Sequence, residues 1–221
     1  HLRAWRDPAR MIRHATYVRK TGLFMLAIFV GLAASIGIGW WQVDGPGSDR
    51  PMNKTKAVIS PIKSMSFSLT DHEGASVGPE ILLGRPSMVF FGYTFCPDVC
   101  PTTLADITGW LEDLGPDAKH LNVVLISVDP ERDTPAVLAD YVAAFHPKIR
   151  GWTGSLQDLS RAASAFRVTY KKVPLDDKDY AMDHTSSVFL FDASGQFRNT
   201  IDFHENREIA VPKIRRVLRD R

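Results

Sequence analysis

Two cysteines occur in the 221-residue chain, and both lie in "FFGYTFCPDVCPTTL", residues Phe90 to Leu104. Cys96 and Cys100 are separated by three residues, one more than in a thioredoxin-type redox pair. Three chemistries suit such a pair. A stapling disulfide would close a loop of about five residues, and so short a loop removes little chain entropy. A dithiol–disulfide exchange site at the end of a strand is the second. The third is a soft-metal site, because two thiolates with one imidazole make a low-coordinate environment suited to Cu(I). Structural zinc would call for four ligands and further Cys or His pairs nearby. The balance favours copper over the redox pair and over the staple.

A third ligand has to come from elsewhere, and seven histidines are available. His1 and His14 precede a long apolar run. His72 falls in a turn, His120 precedes a strand, His146 ends a helix and His204 follows the last strand; ordinary solvated or capping roles suit each. His184, in "YAMDHTSSVFLFD", opens the final hairpin at a loop-to-strand junction. Met182 and Asp183 beside it are candidates for a weak axial contact and an outer contact, with a core-filling role the simpler reading of Met182.

The elements that must position these groups follow from periodicity. "SMSFSLTDHEGASVG" reads as a hairpin turning at "DHEG". "PSMVFFGYTF" is a strand buried on both faces, ending at the cysteines. Pro101 suits a first helical position, with Leu104, Ile107, Leu111 and Leu114 on one face and Gly115-Pro116 as the stop. Both sulfurs then sit near a helix N-terminus, whose dipole and free N–H groups favour thiolate and lower its pKa. "LNVVLISVD" is a second buried strand. "DTPAVLADYVAAFHP" is a helix capped by Thr134, with Leu138, Tyr141, Val142 and Phe145 inward. Another helix follows the "SLQD" capping box at Ser155, lined by Leu156, Leu159, Ala163 and Phe166. Two strands around "DASG" and a basic amphipathic helix, Glu208 to Leu218, close the chain.

The order β-α-β-α-α-β-β-α predicts an α/β fold, a thioredoxin-like sandwich with a mixed β-sheet. In that layout the loop carrying His184 returns beside the first helix's N-terminus, which makes it the candidate third ligand. A peroxidase of the peroxiredoxin type shares the layout, but no distant resolving Cys exists and Tyr93, not Thr, stands three residues before Cys96.

Net charge is +2, unevenly spread. Residues 1–20 carry six Lys/Arg against Asp7, a balance of +5; the remaining 21 basic and 24 acidic groups give −3. A mildly acidic body argues against nucleic acid as a partner. "TGLFMLAIFVGLAASIGIGWW", residues 21–41, is uncharged and long enough to span a bilayer core of about 30 Å. Tyr17, Trp40 and Trp41 suit the interfacial belts, and the run exceeds the h-region of a cleavable signal. The expected organisation is a basic cytosolic or matrix-side arm (1–20), an uncleaved transmembrane anchor (21–41), a Gly/Pro-rich linker (42–63) and a globular domain (64–221) on the oxidising side.

Three segments, "FFGYTFCPDVCPTTL", "ISVDPERDTP" and "DHTSSVFLFDASG", together resemble the Sco/SenC copper chaperones of cytochrome c oxidase assembly, over roughly Phe67 to Leu218. The resemblance implies one copper ion, Cu(I) or Cu(II), held by Cys96, Cys100 and His184. It implies delivery of that ion to the CuA centre of oxidase subunit II, by a carrier without catalytic turnover, with another copper chaperone a further candidate partner. A thiol–disulfide oxidoreductase that keeps the CuA cysteines reduced is the alternative for the same residues. The implied location is a bacterial inner membrane with the domain in the periplasm, or the mitochondrial inner membrane facing the intermembrane space. Asp129, Glu131 and Arg132 of the second segment read equally well as a docking surface or as a solvated turn.

Overall fold

The structure, a computed structural model, describes residues 25–39, 59–175 and 179–219. The chain divides into two compact units, His1–Lys56 and Ala57–Arg221. In the first, residues 25–39 form a helix, α1, with Met25, Phe29 and Ile36 exposed. Among the described residues no helix is long and apolar enough to cross a membrane. The expected arm, most of the linker, the outer ends of the expected anchor, and Tyr17, Trp40 and Trp41 lie outside the described residues.

The second unit is built on a seven-stranded mixed sheet, in the order β2-β1-β5-β4-β3-β8-β9. Its strands are β1 (Leu69–Asp71), β2 (Ser76–Val77), β3 (Ser87–Gly92), β4 (Asn122–Ser127), β5 (Ile149–Thr153), β8 (Val188–Phe191) and β9 (Phe197–Ile201). A separate two-stranded sheet pairs β6 (Tyr170–Pro174) with β7 (Tyr180–His184). The helices are α2 (Val99–Leu114), α3 (Pro135–Ala143), α4 (Leu156–Phe166) and α5 (Arg207–Arg219).

The continuous apolar run predicted for β3 is buried at every position, because β4 flanks it in parallel and β8 antiparallel while helices cover both faces. Phe90, Leu125 and Gly151 are aligned across β3, β4 and β5. They lie on the face covered by α2 and α3. A Cβ at Gly151 would stand 3.1 Å from Leu138 of α3, so the absent side chain is what lets that helix seat. On the other face Phe166, ending α4, packs against Phe91 and Phe189 at centroid distances of 5.4 and 6.2 Å.

Most predicted elements form, with three differences. α2 begins at Val99 rather than Pro101; the first-turn N–H groups have no partner within the helix, so proline is tolerated at its third position. β5 was not expected, since Arg150 and Gly151 break any alternation. The β6–β7 pair was not expected either, its exposed Lys171 and Lys172 and half-buried neighbours showing no apolar face. The caps at Thr134 and Ser155 form as read, accepting the N–H groups of Val137 and Asp158. Leu156, expected inward, is 58% exposed.

Candidate metal centre

The end of β3 delivers the chain to the cysteines, and Gly92 controls how. A Cβ there would lie 2.9 Å from a Phe90 ring carbon and 3.1 Å from Cys100 Sγ, so glycine leaves room for the sulfur against the strand end. Cys100 is fully buried in the first turn of α2, and Cys96 is half-buried in the loop before it. Both are reduced. The Cys100 N–H, one of the helix's unpartnered donors, points at Cys96 Sγ at 3.4 Å.

His184 ends β7 and is half-buried. Its Nε2 lies 3.4 Å from Cys100 Sγ. Its Nδ1 lies 2.9 Å from the Thr185 carbonyl oxygen, which only accepts, so Nδ1 carries the proton. In the neutral ring Nε2 then holds a free lone pair on the sulfur side, the arrangement metal-binding histidines use. The edges of Phe90 and Tyr93 hold the ring at centroid distances of 6.3 and 5.8 Å. These groups open onto a cleft of about 410 Å³ lined by Tyr93, Cys96, Pro97, Met182, Asp183 and His184. A larger cleft of about 540 Å³, at the other end of β4, has no Cys or His in its wall.

Burial governs the electrostatics. It lowers the His184 imidazole's pKa, more than the Thr185 carbonyl raises it, and so favours the neutral ring. Burial also pushes the Cys100 thiol well above its ordinary range, with the Tyr93 backbone partly opposing. The thiolate expected from the helix terminus alone is therefore not favoured at Cys100: desolvation in the core outweighs the dipole. Tyr93 is raised too, by burial first and then by the adjacent thiols.

The structure thus brings the three sequence-predicted residues to one spot, with Cys100 touching both partners. As placed, no three Cys, His, Asp or Glu side chains among the described residues converge closely enough to grip an ion. Two thiols and an unprotonated imidazole nitrogen nonetheless form a donor set that fits a soft cation. Met182 is buried in the core, and Asp183 is exposed. Of the other histidines described, His72 accepts the Gly151 N–H and His146 the Lys148 N–H, well away from the cysteines in the fold. Sequence reasoning missed Gly92, and it missed Thr94 and Asp133, a bonded pair behind the cysteine loop. The Asp129–Asp133 segment is not wholly a solvated turn: Asp129 and Asp133 are buried, while Glu131 is exposed.

A thioredoxin-like domain with a two-thiol, one-imidazole cluster at the end of its central strand is the class that fold and site define. The chain belongs to the SCO1/SenC family, whose model matches residues 58–219. A SCO2-like protein of Rickettsia felis is 41% identical over 133 residues, 59% of this chain and 65% of that protein, so the chain spans less than two thirds of that relative. The mitochondrial SCO1 homolog of Homo sapiens is 38% identical over 179 residues, 78% of this chain and 58% of that protein. Among solved structures, Bradyrhizobium japonicum ScoI with copper bound superposes with a TM-score of 0.65 at 41% identity, covering 72% of this chain and 99% of that one. Yeast Sco1 with copper bound gives 0.66 at 32% identity, covering 74% and 90%.

Proposed function

We propose that the chain is a copper carrier of cytochrome c oxidase assembly, taking one copper ion on Cys96, Cys100 and His184. The observation that carries this is the 3.4 Å approach of the unprotonated His184 nitrogen to Cys100 Sγ, across 84 residues of sequence. The copper-bound relatives support it. Two thiolates, Cu(I) and a neutral imidazole leave a net charge of −1, acceptable at the start of α2. Three protein ligands leave a side open, so the ion can pass to a recipient's thiolates by ligand exchange. The recipient we propose is the CuA centre of oxidase subunit II, with the domain held at a membrane by the apolar segment at 21–41.

A second reading uses the same cysteines as a dithiol that reduces a disulfide between the recipient's CuA cysteines to two thiols, Cys96 and Cys100 becoming a disulfide in exchange. The pairing of a half-exposed Cys96 with a buried Cys100 favours it, since one sulfur is open to attack and the other is positioned to resolve.

The two readings part at His184→Ala. The variant is expected to lose tight copper binding while Cys96 and Cys100 still oxidise reversibly, followed by copper titration and thiol counting on one preparation. Wild-type protein oxidised to the disulfide is expected to take up little copper. Full affinity in His184→Ala, or equal uptake by oxidised and reduced protein, would overturn the three-ligand site.

A further inference from the structure

The segment from Ser127, the last residue of β4, to Thr134, the cap of α3, places two buried acids that the proposed copper site does not use, and they face opposite halves of it. Asp133 accepts the Thr94 hydroxyl at 2.6 Å, the Thr94 N–H at 3.2 Å and the Ser127 hydroxyl at 2.6 Å, tying the segment to the cysteine loop. Asp129 accepts the Tyr180 hydroxyl at 2.9 Å and the Arg132 Nε–H, tying it to β7. Arg132 continues outward: it donates to Asp179 at 3.1 Å, and its guanidinium lies 3.7 Å from the Tyr180 ring centre. Lys172 of β6 also stands 3.7 Å from that centre and pairs with Glu131 at 2.7 Å.

These contacts matter because of topology. β6 and β7 pair only with each other and share no ladder with the seven-stranded sheet. Ladder pairing with that sheet resumes only at Val188 of β8, opposite Phe90, so within the hairpin no ladder bond sets how far His184 stands from Cys100, whose helix is packed on the sheet. Tyr180, Met182 and His184 project from the same side of β7, since strand side chains alternate. What Tyr180 grips, His184 inherits.

We infer that Tyr180 and Arg132 are positioning residues: with Asp129 they clamp the β6–β7 hairpin to the Ser127–Thr134 segment and so set the reach of His184 toward the sulfurs. The inference rests on the copper reading and deepens it. Arg132 is suited to the task as lysine is not, because a planar guanidinium can stack on a ring while donating to two carboxylates.

The test uses full-length Tyr180→Leu, Arg132→Lys and Tyr180→Phe, with two readouts. One is amide hydrogen exchange of the metal-free protein; the other is Cu(I) affinity in competition with a Cu(I) chelator. Tyr180→Leu is expected to speed exchange in β6 and β7 while β3 and β4 exchange as in wild type, and to weaken Cu(I) binding about 10-fold or more, as loss of an outer partner does. Arg132→Lys should act in the same direction, and Tyr180→Phe, which keeps the ring, should restore most of both readouts. Unchanged hairpin exchange in Tyr180→Leu and Arg132→Lys overturns the clamp whatever copper does, as does exchange accelerating equally throughout the domain. A loosened hairpin with unchanged Cu(I) affinity overturns the positioning role of Tyr180 and Arg132, while the copper reading itself stands or falls with His184→Ala. If Tyr180→Leu fails to fold, Arg132→Lys carries the same comparison.

Discussion

At the scale of single residues, the site depends on one absence as much as on three side chains. The cysteines stood out because the chain has only two, and His184 among seven histidines because the predicted layout returns its loop beside them. Gly92 did not, because its role is set by a sulfur eight residues later that only the fold returns to the strand end. Asp133 and Thr94 were hidden in the same way: in sequence they are ordinary polar residues, and only burial turns them into a bonded pair. Gly92→Ala is expected to destabilise the domain by about 1–3 kcal/mol, the usual result of overpacking a filled core. It should also shift the His184 ring resonances as Cys100 Sγ is displaced. Chemical denaturation and NMR measure the two effects; an unmoved denaturation midpoint would mean the strand end yields without cost.

At the scale of elements, what could be read was what periodicity encodes. β3, β4, α2, α4 and α5 announce themselves by apolar runs or helical stripes. β5 and the β6–β7 pair do not: β5 carries a glycine for helix clearance, and β6 presents lysines on a hairpin with little core beneath it. The fold was therefore legible in class and order, while the very hairpin that carries His184 had to come from the structure. α4 shows how much one legible position can hold. Phe166 meets Phe67, Phe91, Phe189 and Phe191, with centroid distances between 5.4 and 6.2 Å. Phe166→Ala is expected to cost about 3–5 kcal/mol in equilibrium unfolding, as removal of a buried aromatic does. A loss below 1 kcal/mol, in order-of-magnitude terms, would show that the sheet closes over the gap.

Across the whole molecule, two Asp-x-x-Gly turns lock the sheet. Asp71 accepts the N–H groups of Glu73 and Ala75 at 3.0 and 2.9 Å and an Arg150 N–H at 2.9 Å. Asp192 accepts from Ser194, Gln196 and Arg198 in the same manner. Burial alone would raise both carboxyls, but these bonds outweigh it and hold both below the ordinary value. A carboxyl depressed in the folded state stabilises it above the unfolded pKa, about 3.9, and loses that contribution as pH falls through the lower folded value. Thermal unfolding followed by circular dichroism is therefore expected to weaken steeply below about pH 4. Asp71→Asn with Asp192→Asn should be less stable near neutrality and flatter in acid; equal acid sensitivity in the variant would discount the turns.

The sheet's margins bear on how copies of the molecule meet. One border is β2, only two residues long, and the other is β9, where Lys213 of α5 donates to the Thr200 carbonyl at 2.9 Å. Among the described residues, neither border of the seven-stranded sheet offers a neighbouring molecule a long, bare row of amides and carbonyls to zip onto. Short or covered borders of this kind disfavour edge-to-edge growth of the sheet from one copy to the next.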